Sequence, residues 1–318
     1  MNESTLVSLD HRAGENISDI TSLDQLLTTS NLDFQIEKTS LYTPEGDEVT
    51  GKYLLRRTDN KFNLGVVGEK YTPIDTRFTL EPFHNMVNVH KAQYESAGLV
   101  RGGKKCWVSA TLPSRIQVPG RTDDIIQQRV VCLINNDGLG GNSYFSLANR
   151  VVCNNQIRML SKQANNSQFK FRHTKNWEAG LQDAAVGFNE ALKARAEFEQ
   201  VITYLSKLKM TEREMEVFTH RLYNVEDKNE MSTKSKARTN RLVELFGHGA
   251  GNNGTTRWDA LNAVTEWVDH HSSRSYKTRA QTLIANQNRF ITNNFSGSGD
   301  RIKQRAVNLL NQTEVSFK

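Results

Sequence analysis

The chain carries two successive patterns of hydrophobic and polar positions, and the pattern changes near residue 174. Between Leu32 and His173, short apolar or alternating runs are separated by turn-forming Pro, Gly, Asn and Asp residues. These runs predict β-strands, and they read YLLRR, NLGVV, CWVSATL, RVVCLI, YFSLA, RVVC and FKFRH. One interruption, from about Thr76 to Lys91, has apolar residues at helical spacing and predicts a helix.

After residue 174, apolar residues recur every three or four positions and predict one long amphipathic helix over 175–209. Thr211 and Glu214 have the spacing of a capping box that begins the next helix. The hydroxyl of Thr256 is expected to cap the turn that contains Asp259. We therefore expect an α+β fold, in which a mainly antiparallel sheet with one early helix is backed by the long helix and a helical C-terminal half.

The same patterns predict three regions. Residues 1–31 are expected to form a flexible N-terminal arm, and residues 32–173 a β-rich core that binds nucleic acid. Residues 174–318 are expected to form a helical region with a flexible, glycine-rich loop at 247–255.

Charge adds a mild preference for an anionic partner. Among 318 residues, 41 are Lys or Arg and 35 are Asp or Glu, which gives a net charge of +6. The N-terminus is polar and lacks the features of a signal peptide, and no apolar run approaches the ~18 residues of a membrane helix. Three cysteines without a C-x-x-C motif are typical of free thiols in a reducing compartment. We expect a cytoplasmic protein without membrane contact.

The sequence contains no recognisable catalytic motif. It has no P-loop, no G-x-G-x-x-G and no G-x-S-x-G. The segment NNDGLGG (135–141) is either a backbone nest for phosphate or an ordinary hairpin loop. We therefore expect a binding protein that needs no cofactor, rather than an enzyme.

Basic residues are densest in the strand-like half. In FKFRH, alternation places Lys170 and Arg172 on one face of a strand and Phe169 and Phe171 on the other. The rings either pack in the core while the cations follow phosphates, or stack on bases; a plain amphipathic strand is the third interpretation. The segment ANRVVCNN (148–155) predicts a strand whose apolar middle packs inward. Its polar ends either contact sugar and phosphate or cap the strand.

These patterns define two sets of candidate residues. The predicted nucleic-acid ligands are Arg101, Lys104, Lys105, Arg150, Arg158, Lys170, Arg172, Asn154, Asn155, Trp107, Phe169 and Phe171, with Tyr144 as a further ring. In TEWVDHH, Glu266, Asp269 and His270 share one helix face, so they form either a divalent-metal site or an ordinary solvated helix end.

Four segments resemble signature stretches of the phage/plasmid-like protein family: LGVVGEKYTPID (64–75), ESAGLVRGGKKCWVSATLP (95–113), ANRVVCNN and GTTRWDALNAVTEWVDHH (254–271). This family is a prokaryotic domain of unknown function found in phages and mobile elements, and the resemblance runs from about Leu32 to the C-terminus. It brings no catalytic residues. It implies a phage or mobile-element setting and suggests kinship with the RecT, Redβ and Erf annealing proteins, which back a β-sheet with a long helix and form rings or filaments.

Three functions remain as hypotheses. The first is a phage-type protein that binds and anneals single-stranded DNA in recombination or replication, without ATP and as a homo-oligomeric ring or filament. It would act with other phage or host recombination proteins. The second is a self-assembling structural or interaction protein without a nucleic-acid role. The third is a metal-dependent nuclease built on Glu266, Asp269 and His270.

Overall fold

The structure is a computed structural model, and it describes residues 9–159, 168–225, 231–272 and 277–312. The strands are β1 Glu15–Asn16, β2 Ile36–Tyr42, β3 Glu48–Arg57, β4 Asn63–Gly68, β5 Gln93–Val100, β6 Lys105–Gln117, β7 Ile125–Asn135, β8 Asn142–Arg150, β9 Asn155–Arg158 and β10 Gln168–Phe171. The helices are α1 Leu9–Ala13, α2 Leu23–Thr29, α3 Thr76–Val89, α4 Trp177–Lys207, α5 Glu212–Leu222, α6 Thr233–His248, α7 Arg257–Glu266, α8 Arg279–Ile291 and α9 Ser298–Leu310.

The strands form two antiparallel sheets. The larger sheet has the order β1-β5-β6-β7-β8-β10, and β9 pairs with the second half of β8. The smaller sheet has the order β2-β3-β4. Helices follow in the C-terminal half, so the predicted α+β fold class is confirmed.

The larger sheet is covered on both faces, which explains why every residue of β8 and nearly every residue of β7 is buried. Side chains alternate across a strand, so Val130 and Cys132 face one core while Val131 and Leu133 face another. The first core is closed by α2, α3 and the N-terminal part of α4. The second is closed by α1, by α8 and by the π-helical turn Thr292–Ser296 that follows α8.

A third core joins the sheet to the helical half. The C-terminal part of α4 packs with α5, α6, α7 and α9 around Phe198 and Trp258. Ile116, Ile126 and Ile157 from the strands belong to the same cluster. The strand-rich and helical regions predicted from sequence therefore share their hydrophobic cores.

Both predicted helix caps are confirmed. The Thr211 hydroxyl accepts a hydrogen bond from the backbone amide of Glu214, and the Glu214 carboxylate accepts one from the backbone amide of Thr211. Thr256 and Asp259 form the same reciprocal pair at the start of α7. Each cap satisfies backbone amides that have no partner within the helix, and this fixes where the helix begins.

Three local predictions differ from the structure. Residues 9–31 are packed rather than a flexible arm, because β1 pairs with β5 and Ala13, Ile17 and Leu26 are buried. The RVVC segment is not a strand, since residues 151–154 form the turn between β8 and β9. In the loop expected to be flexible at 247–255, residues 247 and 248 belong to α6, and the part that follows is held by hydrogen bonds from two arginines.

Within the described residues, no helix combines the length and the apolar character needed to cross a membrane.

Candidate functional site

The predicted nucleic-acid ligands lie at opposite ends of the larger sheet. β8 begins at Asn142, which pairs with Phe171, and ends at Arg150, which pairs with Asn155. At about 3.4 Å per residue these ends are about 27 Å apart. We call the end formed by residues 101–105, 136–141 and 170–173 the loop end, and the end formed by residues 148–158 the hairpin end. Because of this distance, the predicted ligands at the loop end and those at the hairpin end do not form one continuous site.

Arg150 at the hairpin end is a structural residue. It is 2% exposed, and its Nε and Nη2 atoms each donate to the Asp124 carboxylate at 2.6 Å. The remaining N–H groups donate to the carbonyl oxygens of Ala250 and Gly251 and to Asn252 Oδ1. All five guanidinium N–H groups are therefore used within the protein, and Arg150 cannot contact phosphate as the sequence had suggested.

The other predicted ligands at the hairpin end also support the fold. Asn155 is buried and donates to the Asn262 carbonyl at 3.3 Å. Asn154 occupies the turn with φ 52°, a left-handed conformation that Asn tolerates better than most residues. Arg158 donates to Asp300 at 2.9 Å and is mostly covered. ANRVVCNN is thus a hairpin turn fastened to the helical half.

The predicted stacking rings belong to the cores. Trp107 is fully buried and packs on Phe290 with ring centroids 4.8 Å apart. Phe171 is 1% exposed and lies 6.0 Å from Tyr144, whose hydroxyl donates to the Thr79 carbonyl. Phe169 is half-buried against the same core. Trp107, Tyr144 and Phe171 therefore offer no open face to a base, and Phe169 packs partly on the core, so the structure favours the interpretation of FKFRH in which the rings pack in the core.

The cations of FKFRH are placed differently. Lys170 and Arg172 are exposed, and with Lys70 they line an open cleft of about 450 Å³ beside Gly138, Gly140 and Gly141. None of the three cations forms an ion pair with the described part of the chain. Lys70 was missed from the sequence, because it follows β4 and only the packing of the smaller sheet brings it to the cleft. The result is a cationic, glycine-lined surface open to solvent.

Glycine is required at two positions of the loop between β7 and β8. Gly138 has φ 77°, and a side chain there would collide with Val67. A Cβ on Gly141 would collide with the carbonyl oxygen of Phe171. The loop can therefore lie against both β4 and β10 only with glycine at these positions.

The loop is also fixed by side chains. The side-chain amide of Asn135 donates to the Gly141 carbonyl at 2.6 Å, and the side-chain amide of Asn136 donates to the Gly103 carbonyl at 3.0 Å. Asp137 Oδ1 accepts from the Leu139 amide at 2.9 Å. The sequence allowed two interpretations of NNDGLGG, a backbone nest for phosphate and an ordinary hairpin loop. It is a hairpin loop, held rigidly beside three exposed cations.

The remaining cations of the loop end have separate roles. Lys105 lies 3.3 Å from Asp137 and donates to Asn135 Oδ1, so it neutralises the carboxylate that shapes the loop. Arg101 is exposed and donates to Asn288 Oδ1 at 3.0 Å. Lys104 is half-buried, and its backbone carbonyl accepts from the backbone amide of Asn136. Arg101 and Lys104 extend the positive charge of the loop end along the turn between β5 and β6.

A stacked pair of rings forms one side of the cleft. The centroids of the Tyr71 and His173 rings are 4.7 Å apart, and the two ring planes are 8° from parallel. His173 is 5% exposed, and its Nε2 lies 3.1 Å from Asn142 Oδ1. Burial lowers the pKa of His173 to about 4, so the imidazole is neutral near pH 7 and does not add to the positive charge of the cleft.

The predicted metal ligands do not converge. Asp269 is fully buried, and its oxygens accept from Lys303 Nζ at 2.7 and 2.9 Å. Glu266 accepts from the Ala250 amide, whereas His270 Nδ1 lies 3.1 Å from Arg12. The described residues contain no group of three His, Cys, Asp or Glu side chains arranged to hold a metal ion. These residues fasten helices to one another, which corrects the metal-site interpretation.

Residues 63–292 match a protein family described as a domain of unknown function, DUF932. The chain belongs to this family. No curated protein and no solved structure matches the chain significantly. The DUF932 region contains both ends of the larger sheet, including Lys70, the glycine loop and Lys170. It excludes β2, β3 and α9.

Proposed function

We propose that the protein binds single-stranded DNA at the loop end and promotes the annealing of complementary strands without ATP. The observation that carries the proposal is the cleft at the glycine loop, where Lys70, Lys170 and Arg172 are exposed without an ion pair to the described residues. Phosphate groups are the natural ligands of such a surface, because three exposed cations that line one cleft attract a polyanion strongly.

Annealing follows from how such a surface would hold a strand. Cations that contact only the phosphates carry no sequence information, and they leave the base edges free to pair with a second strand. The three lysine and arginine side chains would also lower the repulsion between two phosphate backbones. Nothing in this scheme requires nucleotide hydrolysis.

The resemblance to phage and mobile-element proteins supplies the setting. We place the activity in the bacterial cytoplasm, in recombination or replication, with the protein working as a ring or filament. The three cysteines of the chain, Cys106, Cys132 and Cys153, are buried and free, which agrees with a reducing compartment.

The test compares two variants of equal charge. One carries Lys70→Glu, Lys170→Glu and Arg172→Glu; the control carries Lys209→Glu, Arg213→Glu and Lys236→Glu, three exposed cations of the helical half. Binding of a fluorescent single strand and annealing after addition of its complement are measured across a salt series. We expect the cleft variant to lose both activities and the control to keep them.

Other outcomes would favour the alternatives. Wild-type protein that forms oligomers in light scattering but binds no strand at low salt would indicate a structural or interaction role. Cleavage of the strand on addition of Mg²⁺ or Mn²⁺ would indicate a nuclease. Equal losses in both variants would show that binding follows net charge rather than the cleft.

A further inference from the structure

Leu139 is the most exposed large apolar side chain among the described residues. It is 85% exposed, and it lies at the tip of the glycine loop, between Gly138 and Gly140. A single exposed leucine is ordinary on a protein surface. This one differs in its position, because it stands beside the cleft that Lys70, Lys170 and Arg172 line.

The loop holds this leucine in a fixed place. Its own amide donates to Asp137 Oδ1 at 2.9 Å, and Asp137 is paired with Lys105 at 3.3 Å. On the other side, Asn135 donates to the Gly141 carbonyl. A loop anchored on both sides that still directs an apolar side chain into water gains no folding energy from that side chain. The side chain is therefore available to a ligand.

We propose that Leu139 inserts between neighbouring bases of the strand whose phosphates the cleft cations hold. The inference rests on the proposed single-strand binding. Charge complementarity selects the occupant: a polyanion whose phosphates reach the cations places its bases within reach of the loop tip. Apolar wedges of this kind separate stacked bases, and separation costs less in a flexible single strand than in a paired duplex. Leu139 would thus make the protein prefer single strands to duplexes.

The experiment uses single strands that contain 2-aminopurine, a base whose fluorescence rises when it loses its stacked neighbours. Wild-type protein should raise the fluorescence on binding. Leu139→Ala should abolish the rise and weaken single-strand binding about ten-fold, because the buried area of a leucine side chain is lost. Its duplex affinity and its salt dependence should stay as in the wild type, since the cations are untouched.

Two further variants test whether the effect of Leu139→Ala is specific to the position and to the loss of a large apolar side chain. Leu283→Ala makes the same chemical change at an exposed leucine of α8, and it should leave fluorescence and affinity unchanged. Leu139→Phe keeps a large apolar side chain and should retain the fluorescence rise. Circular dichroism of each variant reports whether the fold is intact.

Failure of the wedge and failure of the proposed function are distinguishable. If wild type and Leu139→Ala bind single strands equally and raise fluorescence equally, the wedge is overturned and strand binding stands. If wild-type protein binds no DNA at low salt, both are overturned. Wild-type binding to anionic lipid vesicles that is lost in Leu139→Ala, without any DNA binding, would instead assign the loop tip to a membrane surface.

Discussion

Arg150 and Asp124 form a two-pronged ion pair at the hairpin end of the larger sheet, where both side chains also contact the helical half. Both oxygen–nitrogen distances are 2.6 Å, and both side chains are nearly inaccessible to solvent. Trp258 of α7 donates to the same carboxylate at 3.0 Å, and Arg150 also binds two carbonyl oxygens of the loop before α7. One buried arginine thus connects a strand, a loop and a helix.

Replacing Arg150 by Met should destabilise the protein by about 3–5 kcal/mol, because the Asp124 carboxylate stays buried without its main counter-ion. Urea unfolding followed by circular dichroism measures the loss. Lys209→Met, at an exposed cation, is the matched control and should change stability little. The double variant Arg150→Met with Asp124→Leu should lose less than the sum of the two single changes. A loss below about 1 kcal/mol in Arg150→Met would contradict the assigned role.

The role of Arg150 could not be read from the sequence. Its partners lie 26 positions before it and about 100 positions after it, and no local pattern links such distant residues. An arginine between apolar residues and asparagines has the composition of a phosphate site and equally that of a buried ion pair. Only the packing of α7 against the hairpin distinguishes the two.

The parts of the fold that depend on local spacing were predictable. Alternation in FKFRH correctly separated the exposed Lys170 from the buried Phe171, and the caps at Thr211 and Thr256 were found from two-residue patterns. The cleft was only half predictable. The sequence indicated its glycine loop, Lys170 and Arg172, whereas Lys70 and Leu139 become meaningful only when β4 and β10 meet the loop.

Salt dependence should report the cleft cations directly. The affinity K for a single strand falls with salt, and each phosphate contact makes the slope of log K against log salt steeper by about 0.7. In the variant with Lys70, Lys170 and Arg172 replaced by Met, that slope should therefore be shallower by about 2. Fluorescence titrations at several salt concentrations measure it. Replacing Lys209, Arg213 and Lys236 by Met is the control. An unchanged slope in the cleft variant would place the phosphate contacts elsewhere.

Gly141→Ala should destabilise the protein by about 1–3 kcal/mol, because the new methyl group meets backbone rather than a movable side chain. It should also weaken single-strand binding, since β10 carries Lys170 and must move away from the loop. Thermal unfolding and strand titration measure the two effects. Gly247→Ala, in α6, meets no neighbouring atom and should keep or raise stability. Equal stability of Gly141→Ala and wild type would show that the loop does not need this close approach.

Acid should weaken the fold partly through His173. Burial lowers the pKa of this imidazole from 6.5 to about 4, so between these values the unfolded chain binds a proton that the folded chain does not. The stability that His173 contributes is therefore complete above pH 6.5 and is lost as the pH falls toward 4. At pH 5 the loss is about 2 kcal/mol.

His173→Gln removes this titration while keeping an amide that can reach Asn142. The fall in unfolding free energy between pH 7 and pH 5 should then be smaller than in the wild type by about 2 kcal/mol. Urea unfolding at the two pH values measures it, and His248→Gln, at an exposed histidine of α6, is the control. A His173→Gln variant with the pH dependence of the wild type would mean that the stacked Tyr71–His173 pair stays accessible to protons in the folded state.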